Sequence, residues 1–325
     1  MAVPRLALVG AGAMGGNHAR VIAESDVADL AVLIDTDAAR GKPLADRLGC
    51  GFDTSFDAAR GCDGAVIATP TRTHVEQALA LLELGVPLLV EKPLAPDIEQ
   101  SRAIVELSRR RGVPLMCGFV ERYNPAVTTV LSMLTQRPVH VIALRHSPTT
   151  PRTTLSVVFD LLIHDIDLAL RYAASDAAPL VLSSTTAAGG QVSEIADCLL
   201  SFGGELVATL SASRASQRKV RMQMIETPDA LYEVDLLRQD VTVYQHRSQS
   251  LTRGATPSYR AETVVDIPFV RHGGEPLLLQ LRHFVRLIDG TVDAAVERDS
   301  ILPAHEVAAL VERGGAGSGG IGAGS

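Results

Sequence analysis

Short apolar runs alternate with longer stretches of helical spacing over the first third of the chain. Arg5 to Val9 is an apolar run followed by glycines, and Asn17 to Ala23 then places apolar residues at helical intervals, which predicts strand, turn and helix. Leu30 to Ile34 reads as a second strand ending at Asp35, Ala38 to Leu48 as a helix, and Gly64 to Ala68 as another buried strand. His74 to Leu84 follows as a helix closed by Gly85, then Leu88 to Val90 as a strand, Ile98 to Arg111 as an amphipathic helix capped by Gly112, and Leu115 to Gly118 as a strand. Continuously apolar strands that alternate with helices predict a doubly wound parallel sheet of the Rossmann type, finishing near residue 121.

The pattern then changes. Helices are predicted at Ala126 to Leu134 and Val158 to Tyr172, with Val139 to Arg145 alternating as a strand between them. From Leu180 to Val270 the chain is mostly β-like, and Leu199 to Phe202 and Leu206 to Ser211 form a hairpin across Gly203-Gly204. Leu277 to Ile288 and Pro303 to Arg313 close this region as helices. The expected division is a dinucleotide-binding domain over 1–121, an α+β domain with a largely antiparallel sheet over 122–313, and a disordered Gly/Ala/Ser tail over 314–325.

Composition narrows the functional classes. The chain has 325 residues, 46% of them hydrophobic, enough for two ordinary domains with buried cores. A net charge of −7 with both signs interspersed leaves no basic field to attract nucleic acid or an anionic membrane. Cys50, Cys62, Cys117 and Cys198 form no CxxC pair, which argues against a zinc site or a disulfide framework and fits a reducing cytoplasm. The most apolar run, Ala78 to Val90, is broken by Glu83, Gly85 and Pro87, so no membrane span is expected.

Gly10-Ala11-Gly12-Ala13-Met14-Gly15 is a GxGxxG that follows a strand and opens a helix. Gly10 permits the tight turn, Gly12 lets the backbone approach a pyrophosphate, and Gly15 lets the helix pack closely, while the amides around Ala13 and Met14 offer free donors to the anion. Asp35 stands about twenty residues further on, where a carboxylate accepts hydrogen bonds from an adenosine ribose and repels a 2′-phosphate. NAD is therefore expected rather than NADP, although Arg40 is near enough to soften the argument. Thr36 or Asp37 can cap the next helix, which frees Asp35 for the ligand.

A second constellation carries the chemistry. Glu91-Lys92-Pro93 lies at the carboxyl end of a buried parallel strand, the edge at which open α/β sheets bind ligands. An ammonium there can donate to a substrate hydroxyl and stabilise a developing alkoxide. Asp160 and His164, four residues apart on a predicted helix, share one face, so the carboxylate can orient the imidazole as an acid–base group. His164-Asp165 by itself also resembles part of a metal-dependent phosphohydrolase site, but no further histidine ligands stand at suitable spacing, and no metal is expected.

Taken together, these residues resemble the Gfo/Idh/MocA family of oxidoreductases over nearly the whole chain apart from the tail. The motifs occur in family order: GxGxMG at Gly10 to Gly15, Ala68-Thr69-Pro70-Thr71 with His74, Glu91-Lys92-Pro93, Gly118-Phe119 leading to Arg122-Tyr123-Asn124-Pro125, and Asp160 to Asp167. The resemblance implies a Rossmann domain followed by an α/β domain whose open sheet mediates oligomers, dimer or tetramer, with the active site between domains. It implies that Lys92, Asp160 and His164 are catalytic, that Thr69, Pro70, His74 and Glu91 lie along the cofactor, and that Arg122, Tyr123 and Asn124 approach a carbohydrate substrate; with no Trp and 4% aromatic residues, hydrogen bonds from these groups and Arg145 are expected to hold the sugar. The glycine pair that commonly precedes the catalytic Asp is replaced by Thr153-Thr154-Leu155-Ser156-Val157-Val158. The residues around Arg122 and Asp160 look most like the branch that oxidises N-acetylamino sugar nucleotides at C3, or related aminosugar dehydrogenases of antibiotic pathways. The alternatives are a ketosugar reductase, since the same residues serve both directions, and a non-catalytic NAD(H) sensor.

Overall fold

The computed structural model describes residues 3–149, 155–174, 178–188, 192–253 and 256–314. The expected tail beyond residue 314 and Thr153-Thr154 of the replaced glycine loop lie outside the described residues. Contacts divide the chain into two units, Met1–Tyr123 with Gly273–Glu306, and Asn124–His272 with Val307–Ser325.

In the first unit the chain runs β1 (Arg5–Val9), α1 (Ala13–Glu24), β2 (Asp29–Ile34), α2 (Ala38–Leu48), β3 (Gly51–Asp53), β4 (Gly64–Ile67), α3 (His74–Glu83), β5 (Leu88–Val90), α4 (Ile98–Arg111) and β6 (Leu115–Cys117). Every ladder is parallel, in the order β3-β2-β1-β4-β5-β6, so the crevice where strand order reverses opens between β1 and β4. The helix ends follow their sequence signals. Gly49 and Gly112 adopt left-handed conformations after α2 and α4, and Asp37 and Asp97 accept backbone N–H bonds as their N-caps. The edge strand β3 escapes the hydrophobic pattern because it is three residues long and mostly exposed.

The second unit contains α5 (Pro125–Met133), β7 (His140–His146), α6 (Ile163–Ala173), β8 (Leu180–Ala188), β9 (Ser193–Phe202), β10 (Leu206–Ser213), β11 (Val220–Glu226), β12 (Leu231–Asp235), β13 (Asp240–Arg253) and β14 (Thr256–Asp266). Its eight strands lie in the order β14-β13-β12-β11-β7-β10-β9-β8, antiparallel except where β7 meets β10. Alternation with period two buries Val141, Ala143, Ala208, Leu210, Ile225 and Val234 on the face that α5 and α6 cover.

The remaining helices are α7 (Pro276–Ile288), α8 (Ala294–Asp299) and α9 (Leu302–Glu312). Here the linear division at residue 121 is corrected. Leu277, Leu281, Phe284 and Leu287 of α7 are buried in one cluster with Leu6, Leu8, Ile22 and Leu33, so Gly273–Glu306 completes the Rossmann core. The apolar face of α7 was legible, but the core it fills lies far away in sequence. Among the described residues, no helix is long and apolar enough to cross a membrane.

Candidate active site

The glycine loop is built by exclusion of side chains. A Cβ on Gly15 would stand 1.9 Å from the Gly10 carbonyl oxygen, and one on Gly10, whose φ is +103°, would meet Ala68 O and Thr69 Cγ2 at 2.8 Å. Gly12, the N-cap of α1, instead has nothing within 4 Å of its Cβ position, which leaves its backbone open to a pyrophosphate. Ala13 and Met14 form the first turn of α1, with Met14 exposed. A cavity of about 420 Å³ runs past Gly10, Gly12, Asp35, Arg40, Thr69 and Pro70, so this part of the predicted set surrounds one space.

Asp35 is nearly buried, and its carboxylate accepts from the Ala11 amide at 2.7 Å and the Asp37 amide at 2.8 Å. The Arg40 guanidinium lies over it, with Nη2 2.9 Å from Oδ1. Burial pushes the Asp35 carboxyl up, but the Arg40 hydrogen bond and the two amides outweigh it and hold the group below the usual carboxylate range. The anion is therefore fixed at the end of β2 and presented to the cavity, which suits ribose hydroxyls. The fit to a dinucleotide rests on this carboxylate and on the open space above Gly12.

The segment that carries Lys92 is gripped by three buried imidazoles. His18 of α1 bonds Glu91 through Nε2 and Oε1 at 2.8 Å, and the other oxygen of Glu91 accepts from the Lys92 amide at 3.2 Å. His74 places Nδ1 3.1 Å from the Pro93 carbonyl and Nε2 2.9 Å from the Thr69 carbonyl. His305 accepts from the Leu94 amide at 2.9 Å, with its other nitrogen 2.8 Å from the Ile301 carbonyl. Gly118 supplies the room, since a Cβ there would lie 2.8 Å from Glu91 Oε2. Glu91 and His74, expected along the cofactor, thus bind neighbouring chain and set the position of Lys92, which is itself half-buried. Thr69 meets the cavity while its hydroxyl donates to Gln77 at 2.6 Å.

In the second unit Asp160 and His164 are separated by a change of helix. Val158–Leu162 forms a π-helical turn that runs into α6 at Ile163, so Asp160 and His164 lie on either side of a change of helix type. Asp160 Oδ2 accepts from Arg214 Nη1 at 3.2 Å. Asp165, next to His164, is held by Arg145 Nε at 2.6 Å and Nη2 at 3.1 Å, and by Gln223 Nε2 at 3.0 Å. Gln223 accepts in turn from the Tyr172 hydroxyl at 2.8 Å, which ties α6 to β7 and β11. His164 is 8% exposed.

Arg145, Arg122 and Asn124, expected to approach the substrate, also have partners within the fold. Arg145 is 2% exposed, with its guanidinium bidentate on Asp165. Arg122 stacks 4.7 Å over Phe119 and donates to Ser300 Oγ at 2.8 Å, and Asn124 caps α5 while donating to the Leu236 carbonyl at 3.0 Å. These are uses within the fold. Tyr123 stays partly exposed, its ring 5.2 Å from that of His283. Among the described residues no group of three or more His, Cys, Asp or Glu is placed to hold a metal ion, and all four cysteines are free thiols. Burial pushes the Cys198 thiol up to about 12, which makes it chemically inert.

Sequence signals for His18, His305 and Arg214 were absent because each acts on a partner distant along the chain. Only the position of His18, three residues past the GxGxxG, was available to suggest that it faces the same site.

The family model described as the oxidoreductase family, NAD-binding Rossmann fold, matches residues 4–119. A UDP-N-acetylglucosamine 3-dehydrogenase from Acidithiobacillus ferrooxidans is 30% identical over 262 residues, 80% of this chain and 82% of that protein. This chain belongs to the Gfo/Idh/MocA family. A solved structure of that A. ferrooxidans enzyme superposes with a TM-score of 0.83 at 26% identity, covering 96% of this chain and 98% of the other. An inositol 2-dehydrogenase from Saccharopolyspora erythraea is 34% identical over 175 residues, 50% of this chain and 52% of that protein. The protein is accordingly an NAD-dependent oxidoreductase acting on CH–OH groups.

His74 gives the site a pH signature. Burial pushes its imidazole below the ordinary value of 6.5, against the pull of the Thr69 and Pro93 carbonyls. Above pH 6.5 the ring is neutral in both folded and unfolded chains; on acidification the unfolded chain takes the proton first, so stability falls until the folded ring also titrates. Urea unfolding between about pH 7 and about pH 5.5 should show a shallower loss of stability in His74→Gln than in the wild type, and parallel slopes would contradict this assignment.

Proposed function

We propose that this protein is an NAD-dependent dehydrogenase that oxidises a secondary hydroxyl of an amino sugar, most specifically a nucleotide-linked N-acetylamino sugar, to a ketone. The supporting observation is the likeness to the A. ferrooxidans UDP-N-acetylglucosamine 3-dehydrogenase. That likeness extends over 80% of the chain, more than the Rossmann unit supplies, and so includes the unit that carries Asp160 and His164.

When bound, NAD supplies the hydride acceptor. The chain's own residues divide the remaining work. His164 takes the hydroxyl proton during oxidation and returns it in the reverse direction, and Lys92 donates to the reacting oxygen as negative charge develops on it. Asp160 supplies a fixed negative charge that favours the protonated imidazole. Asp35 and the glycine loop hold the nucleotide so that the reacting carbon and the nicotinamide are presented to each other. Tyr123, partly exposed, contacts the substrate together with Arg122, Asn124 and Arg145, which are buried and also bonded within the fold.

We also propose that the protein is a homo-oligomer, a dimer or tetramer, joined through the sheet face opposite α5 and α6. That face carries half-buried apolar side chains in register, Ile142 beside Met224 and Leu144 beside Met222. Sedimentation of the wild type should give at least twice the subunit mass, with Ile142→Lys shifting it toward one subunit, whereas a wild-type monomer would overturn this assignment.

The activity is tested by following NADH formation with UDP-N-acetylglucosamine, myo-inositol and an aminoglycoside. Turnover is expected with the sugar nucleotide. Lys92→Ala and His164→Ala should each lower it by about 10²-fold or more while leaving NADH binding within about twofold. Full turnover in either variant would remove that residue from the mechanism. NADH binding without turnover of any polyol, together with a stable protein partner, would favour the sensor.

A further inference from the structure

Arg214 follows β10 and is among the largest fully buried side chains, 2% exposed. Its Nε donates to Glu194 Oε2 at 2.9 Å and its Nη2 reaches Glu194 Oε1 at 3.4 Å, a side-on fork. Nη2 also donates to the Leu155 and Ser193 carbonyls, each at 2.9 Å, and Nη1 donates to Asp160 Oδ2 at 3.2 Å. One planar cation therefore joins the end of β10, the start of β9, the segment entering the π-helical turn, and the carboxylate on that turn. Ser156 strengthens the same entrance, with its hydroxyl donating to Glu312 at 2.6 Å.

The geometry points to Arg214 as the positioning residue for Asp160, with Glu194 aiming its guanidinium. This rests on the catalytic role proposed above for Asp160. Asp160 is 26% exposed at the side chain, so burial alone leaves its rotamer open and a bonded cation fixes it. Arg214 is suited to this. Its guanidinium is rigid and always charged, and four of its hydrogen bonds go to groups other than Asp160, so its orientation is set independently of the carboxylate it holds. Lysine retains the charge but not the fork. A strut that only joined β9 to β10 would need Glu194 and the two carbonyls, but not the bond to Asp160.

The cycle of Arg214→Lys, Asp160→Asn and the double variant distinguishes these roles, read as kcat and KM with UDP-N-acetylglucosamine, or with myo-inositol if that is the panel member turned over. NADH affinity serves as the control for the Rossmann unit. We expect Arg214→Lys to lower kcat by about 10- to 100-fold with KM and NADH affinity within about twofold, and the double variant to be no slower than Asp160→Asn alone. Glu194→Gln, which loosens the fork but keeps both partners, should lower kcat by about two- to fivefold and lose that effect in the Asp160→Asn background, and it carries the test if Arg214→Lys does not fold. Losses that multiply with that of Asp160→Asn, or no loss in either variant, overturn the positioning role and leave the catalytic assignment standing. Undiminished turnover in Asp160→Asn overturns both.

Discussion

The approach of Gly15 to the carbonyl of Gly10 is the constraint on which the nucleotide half depends. No side chain fits between them, and because none is present α1 begins directly against the turn that leaves β1. The consequences pass outward in order. The space at Gly12 stays open, the Ala11 amide meets Asp35, and His18 on the next turn of α1 reaches Glu91. Glu91 then receives the Lys92 amide, so the backbone at Lys92 is tied through Glu91 and His18 to α1.

The second unit solves a different problem, that of keeping ionisable groups fixed in a largely apolar setting. Arg145 and Arg214 are both 2% exposed; Arg145 is bidentate on Asp165, and Arg214 bonds Glu194, Asp160 and two backbone carbonyls. Buried pairs of this kind contribute little net stability once desolvation is counted, but removal of one partner is costly, which makes them suited to fixing geometry. Arg145 does so for Asp165 and hence for the first turn of α6, where His164 sits; Arg214 does so for Asp160.

Much of this was legible in the sequence where the governing interactions are local. The Rossmann strands and helices follow from apolar runs and glycine caps, and the ends of α2 and α4 fall where Gly49 and Gly112 place them. GxGxxG and Asp35 carried the nucleotide site because their geometry spans few elements. The π-helical turn at Asp160 has no marker in residue type, since Val158–Leu162 satisfies α-helical spacing equally well. Arg145 was readable as a substrate-binding cation, and nothing near it in sequence announces Asp165 on α6 as its partner. The return of α7 to the first unit was hidden for the same reason, because Phe284 joins the cluster of Leu6 and Leu33 only once the chain has folded.

The central claim is that hydride passes directly from a sugar carbon to NAD. The most direct test uses UDP-N-acetylglucosamine bearing deuterium at C3 and mass analysis of the reduced cofactor. Deuterium on the nicotinamide ring, together with a 3-keto sugar nucleotide, is the predicted result. Reduced cofactor without the label, or label released to solvent, would contradict it.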